Sequence, residues 1–162
     1  VRGDVLVAGI GNVFLSDDGF GVEVAQALAR RPWPPGVEVA EFGIRGVHLA
    51  YQLLDGYRAL VLVDAVSMGE APGTLAVLEP EAFGGEATPV DAHTMSPDVV
   101  LGTLAHLGGS LERVLVVGCQ PADLDEGMGL SEAVAAVVDD AVEMCAELVS
   151  EIVQTAGKEA PE

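Results

Sequence analysis

Apolar residues fall along this chain in short unbroken runs that alternate with stretches repeating at three- and four-residue steps. Val5 to Ile10 is a continuous apolar run that passes into the polar, glycine-containing stretch Gly11 to Gly19. That is the pattern of a buried strand entering a loop. Phe20, Val24, Ala27 and Leu28 then recur at i, i+4, i+7 and i+8. They predict a helix from near Gly19 to before Pro32, with Ser16, Asp17 and Asp18 as candidate caps and first-turn acids. Val37 to Phe42 alternates weakly and ends at Gly43 and Gly46, after which Val47, Ala50, Leu53 and Leu54 mark one face of a second helix. Ala59 to Val63 is the most apolar run of all and stops abruptly at Asp64.

A turn through Met68-Gly69 and Ala71-Pro72-Gly73 leads into Thr74 to Leu78, too soon for a helical crossover, so this strand is expected to run antiparallel at an edge. Pro80 to Thr94 has little periodicity and reads as a long loop of the kind that carries function. Ser96 and Pro97 suit the N-cap and first position of a third helix, whose buried stripe is Val100, Leu101, Leu104 and Leu107. Val114 to Val117 is a further buried strand, followed by a loop from Cys119 to Gly129. Val134, Val137, Val138, Ala141, Cys145, Leu148 and Ile152 outline one long C-terminal helix. The expected organisation is a single α/β domain over 1–155 and a frayed, flexible tail over 156–162. Strand-helix alternation of this kind predicts a three-layer α/β sandwich: a mostly parallel sheet, helices on both faces, right-handed crossovers and one antiparallel edge strand. Ligands of such sheets bind outside the C-terminal ends of the strands.

Composition narrows the partners. Half of the 162 residues are hydrophobic but only 4% are aromatic, so the core rests on Val, Leu, Ala and Ile, with glycines letting backbones approach. Asp and Glu number 26 against 7 Lys and Arg, for a net charge of -19 and a pI near 4.1. Free nucleic acid is repelled by that balance. A cation or a basic protein face is attracted, and a merely solvated acidic surface is the plain alternative. Cys119 and Cys145 are far apart with no CxxC spacing, which predicts reduced thiols, Cys145 as a core residue. Neither a leader-like N-terminus nor an apolar segment approaching the ~20 residues of a bilayer span is present. The expectation is a cytoplasmic protein without membrane insertion.

Three residues then stand out. Asp18 follows the first strand, Asp64 ends the third, and His93 lies in the loop entering the third helix, so all three can reach one sheet edge. Carboxylate and imidazole ligands suit a borderline divalent ion such as nickel or zinc, and three protein ligands leave positions open for a substrate. The helix after His93 disfavours imidazolium and keeps the ring available as a ligand. Each residue has a plainer explanation. Asp18 can simply favour a helix N-terminus, and His93 can be an ordinary loop histidine. Asp64 resists this treatment, because a carboxylate directly after five apolar strand residues is costly when buried without a partner. His106, on a helix, reads as a surface or packing residue. Gly9-Ile-Gly11 hints at a dinucleotide fingerprint, but Phe14 stands where the third glycine belongs, and Asp17 and Asp18 would repel a pyrophosphate. Neither G-x-S-x-G nor H-E-x-x-H occurs.

Gly9-Ile-Gly11-Asn12, Leu15-Ser-Asp-Asp18-Gly19 with Gly21, Val63-Asp64-Ala65, His93 and Val117-Gly118 together resemble the hydrogenase maturation endopeptidases over nearly the whole chain. The resemblance implies a five-stranded α/β fold and removal of a C-terminal extension from the large-subunit precursor of a nickel-iron hydrogenase. It implies that Asp18, Asp64 and His93 bind nickel presented by the precursor as a recognition tag, with another divalent ion able to substitute. After the second strand the family often shows Asp-Gly-Gly-Thr-x-Gly, whereas here the chain has Glu41-Phe-Gly-Ile-Arg-Gly46. Glu41 keeps a carboxylate, making it with Asp18 and Asp64 a candidate for general acid or base work, and equally a plain surface glutamate. Gly43 and Gly46 keep a tight turn against which substrate would lie. A nickel-binding chaperone or scavenging module without peptidase activity would need the same three ligands.

Overall fold

The longest apolar runs take the middle of the sheet because only there are both faces covered. The computed structural model describes residues 4–80 and 97–159, the last four by backbone alone. Its strands are β1 (Val5–Ile10), β2 (Val37–Gly43), β3 (Ala59–Ala65), β4 (Leu75–Leu78) and β5 (Arg113–Cys119), in the order β2-β1-β3-β5-β4. All neighbouring pairs are parallel except β4 with β5, which is antiparallel as the short β3–β4 connection requires. β2 is an edge strand whose residues are mostly half-buried, which accounts for its weak alternation.

Strand alternation divides the core. Val5, Val7, Val61, Val63, Leu115 and Val117 point to the face packed by Phe20, Val24 and Leu28 of α1 (Phe20–Ala29) and by Ala141, Cys145 and Val149 of α5 (Val138–Glu159). Leu6, Ala8, Ile10, Leu60, Leu62, Val114 and Val116 point to the other face, under Leu49 and Leu53 of α2 (Gly46–Leu53) and Val100, Leu101 and Leu104 of α3 (Pro97–His106). The three-layer sandwich is thus observed with its five strands. Close packing of α1 depends on missing side chains: a Cβ on Gly21 would lie 2.2 Å from the carbonyl oxygen of Val63 and 2.4 Å from that of Ile10.

Several local expectations are corrected. Val47 and Leu54, expected on the buried face of the second helix, are exposed, and the buried residues of α2 are Gly46, Leu49, Ala50 and Leu53. Leu107 falls just past the end of α3 and is also exposed. The C-terminal helix comes in two pieces, α4 (Glu132–Ala135) and α5, because the amide of Val137 bonds three residues back to Val134 and tightens the turn between them. The helical backbone runs on to Glu159, beyond Thr155. Both thiols are buried, Cys119 ending β5 and Cys145 facing the sheet from α5. Ser96, expected as an N-cap, lies outside the described residues. No helix among the described residues is long and apolar enough to cross a membrane.

Candidate active site

The chain leaves β1 toward one side of the sheet, through α1 to β2, and leaves β3 toward the other, ultimately to β5. A crevice therefore opens between the C-terminal ends of β1 and β3, where open α/β sheets bind ligands. Asp64 is the penultimate residue of β3, and Asp18 lies on the connection after β1.

Asp18 reaches this place through a tightly specified turn. Gly11, at φ +132°, donates its N–H to the carbonyl of Gly43 at 2.9 Å, and a Cβ there would collide with the carbonyl oxygen of Asp18 at 1.9 Å. The chain then enters a 3-10 turn at Ser16–Gly19. Within it the Asp18 carboxylate accepts the Asn12 N–H at 2.7 Å. Ser16 has φ +53°, a left-handed conformation that is unfavourable for a residue with a Cβ. It is held there from the Cys119–Gly129 connection: its N–H bonds the Gly127 carbonyl at 2.9 Å and its hydroxyl the Asp125 carbonyl at 2.8 Å.

Asp17 supplies the strongest tie. Its buried carboxylate accepts the N–H groups of Ala122 (2.8 Å), Asp123 (2.9 Å) and Ser131 (2.7 Å), and the Ser131 hydroxyl (2.9 Å). Burial alone would raise its pKa, but the donors from Ser131, Asp123 and Ala122 outweigh that and hold it below the usual value. The acids of this turn thus make no side-chain caps for α1. One anchors the turn from behind, and its neighbour is presented to the crevice.

Asp64 sits opposite Gly118 of β5 and is 2% exposed. Its Oδ1 has no hydrogen-bond partner among the described residues. Burial pushes its carboxyl well above the usual carboxylate range, the nearby charge of Asp18 pushes it further, and one backbone hydrogen bond from Ala65 opposes both. Burial also raises Asp18, against the Asn12 bond. Two neighbouring carboxylates withdrawn from water are unstable as a pair of anions, so the arrangement favours a proton or a cation between them. The unsatisfied oxygen and the all-oxygen donor pair fit a divalent ion.

Glu41 is paired in register with Gly9, at the level of Val63 on the other flank of β1. Because Ala40 and Phe42 pack toward α2 and α3, alternation gives Glu41 the opposite face, whereas Asp64 follows Leu62 by two residues and shares its α2/α3 side. Glu41 is instead drawn to Arg45, 3.8 Å away, and both are partly exposed. Gly43, at φ +57°, and the buried Gly46 form the turn beside Gly11. The described residues therefore bring Asp18 and Asp64 together, set Glu41 on a flank, and hold no cluster of three or more His, Cys, Asp or Glu able to bind a metal. His93 lies outside the described residues. The sequence does not reveal the Asn12 bond to Asp18, the left-handed backbone of Ser16 or the anchoring role of Asp17. The adjacent acids were visible, but the partners of Asp17 lie more than a hundred positions away, where no periodicity points to them.

The sequence pattern described as hydrogenase maturation protease matches residues 22–148. The chain is 37% identical over 151 residues to the hydrogenase expression/formation protein HoxM of Cupriavidus necator, covering 90% of this chain and 73% of that protein. Among solved structures it is similar to the hydrogenase maturating endopeptidase HybD of Escherichia coli, with a TM-score of 0.76, 30% identity, and 91% and 93% of the two chains covered. It is also similar to the NiFe hydrogenase maturation protease HycI of Thermococcus kodakarensis, with a TM-score of 0.69, 26% identity, and 93% and 92% covered. With this crevice, this sheet order and these likenesses, the chain belongs to the hydrogenase maturation protease family.

Proposed function

We propose that this protein is an endopeptidase that removes the C-terminal extension from the nickel-loaded large-subunit precursor of a nickel-iron hydrogenase. The observation that carries the reading is the buried Oδ1 of Asp64 beside Asp18, without a hydrogen-bond partner among the described residues. Nickel carried by the precursor would complete that oxygen and offset the repulsion between the two carboxylates, with His93 as third ligand. A precursor lacking its metal offers no such compensation, so the site itself would distinguish loaded from unloaded precursor.

Seating the metal against Asp18 and Asp64 fixes the adjoining peptide at the strand edge, and positioning of this kind removes several kcal/mol from a barrier. The Gly43–Gly46 turn lies alongside and is the candidate surface for an extended tail to lie against. Glu41 is the candidate for moving a proton to or from the attacking water. Its ion pair with Arg45 and its place on the other face support this role less than the geometry of Asp18 and Asp64 supports theirs.

The test is incubation with nickel-loaded and nickel-free precursor, weighing the products by mass spectrometry. Loss of a C-terminal peptide from the loaded precursor alone is expected, and Asp18→Asn, Asp64→Asn and His93→Ala should each abolish it. Transfer of metal without loss of mass would establish a chaperone in place of a peptidase.

A further inference from the structure

Helix α2 is apolar on both sides. Leu49, Ala50 and Leu53 already fill its contact with the sheet and α3. On its outer side Val47, Tyr51 and Leu54 are 57%, 56% and 40% exposed, and Ile44, two residues before the helix, is 61% exposed. Steps of four and three keep Val47, Tyr51 and Leu54 on one stripe, about 10 Å long at helical rise, with Ile44 just ahead of its first turn. A contiguous exposed stripe of large apolar side chains serves no purpose in the fold and marks a contact surface.

The stripe begins at the crevice. Ile44 stands between Gly43, whose carbonyl is bonded to Gly11, and Gly46, the first residue of α2. We propose that this outer face of α2 docks the folded body of the hydrogenase precursor while its C-terminal tail enters at Asp18 and Asp64; this rests on the function proposed above.

Charge selects that occupant. The chain carries a net charge of -19, yet Phe42 to Leu54 contains no carboxylate and includes the exposed Arg45 and His48. With Arg45 paired to Glu41, this face is close to neutral, so it accepts an apolar patch with a neutral rim and adds no local repulsion. A second copy of the same chain would bring its whole negative charge against its like, and an anionic membrane surface would meet the same repulsion. A folded neighbour of the scissile tail needs a foothold beside the crevice and not across it, which is where the stripe lies. Tyr51, at its centre, is of the residue type that most often anchors such contacts.

Binding of nickel-loaded precursor by Val47→Glu and Tyr51→Glu, measured alongside cleavage, tests the assignment, with Val77→Lys on the far edge strand as control. Melting temperatures close to wild type are expected for all three, since these side chains are exposed. The two α2 variants should bind about tenfold or more weakly and raise KM with kcat at saturation preserved, while Val77→Lys binds normally. Wild-type affinity and KM in both α2 variants would overturn the proposal, as would equal loss in Val77→Lys. So would a wild-type dimer in sedimentation that the α2 variants disrupt, because a second copy would then be the occupant. Wild-type protein that binds the precursor through α2 without cutting it would remove the peptidase function and leave the docking face standing.

Discussion

Asp17 and Ser131, 114 positions apart, are joined twice: the Asp17 carboxylate accepts the Ser131 N–H at 2.7 Å and the Ser131 hydroxyl at 2.9 Å. With the two further amides from Ala122 and Asp123, this makes one buried side chain the clasp between the turn that carries Asp18 and the connection that follows β5.

Replacing Asp17 by Asn puts an amide group where only acceptors are wanted and leaves some of these buried donors unpaired. A loss of roughly 3 kcal/mol in unfolding free energy is expected. Because the folded-state pKa is lowered, the contribution of Asp17 is present above its ordinary value of 3.8 and is lost as pH falls through the lowered one. Urea unfolding across the acid range should therefore show a shallower loss of stability in Asp17→Asn than in wild type. Parallel acid limbs would mean that some other carboxylate dominates.

Asp64 has the opposite sign. Its folded-state pKa is raised, so its contribution is fullest below the ordinary 3.8 and declines as pH rises toward the raised value. Asp64→Asn should be more stable than wild type near neutral pH, with the gap closing in acid, and should be inactive. A variant less stable than wild type at neutral pH would show that the lone oxygen is already satisfied in the free protein.

Gly21→Ala should be among the most damaging single-methyl changes in the chain. The new Cβ meets backbone oxygens of two central strands, which cannot rotate away, so α1 must shift outward. A destabilisation of roughly 3 kcal/mol is expected by calorimetry or denaturant titration. Displacing α1 also moves the Asp18 turn that precedes it, so processing should fall even in the folded fraction.

Neither thiol should react in the native state. Burial pushes Cys145 up to about 12, and burial together with the charge of Asp17 pushes Cys119 up to about 11. At about pH 8 both are protonated and shielded, so a thiol reagent should label them only as fast as the protein unfolds. Rapid labelling of either by native protein would contradict the packing of β5 or α5.

The strands could be read from the sequence because apolar runs of five or six residues have one low-energy destination, a sheet covered on both faces. Asp64 was legible for the same reason in reverse, since a carboxylate ending such a run demands a partner. The pattern at α2 misled, because apolar residues at helical spacing occupy both of its sides and spacing alone does not say which side meets the core.

Local sequence thus determined the elements, the sheet edge at which the candidate site lies and two of the residues brought together there. Backbone preference and burial act over a few neighbouring positions, and these features need nothing more. Tertiary structure alone decided that Asp17 is a clasp and Asp18 is presented to the crevice, that Glu41 stands on the other face from Asp64, and that Val47 and Tyr51 face outward. Each of these depends on which distant backbone donors and which neighbouring elements surround a side chain, and those are set only when the strands have taken their order.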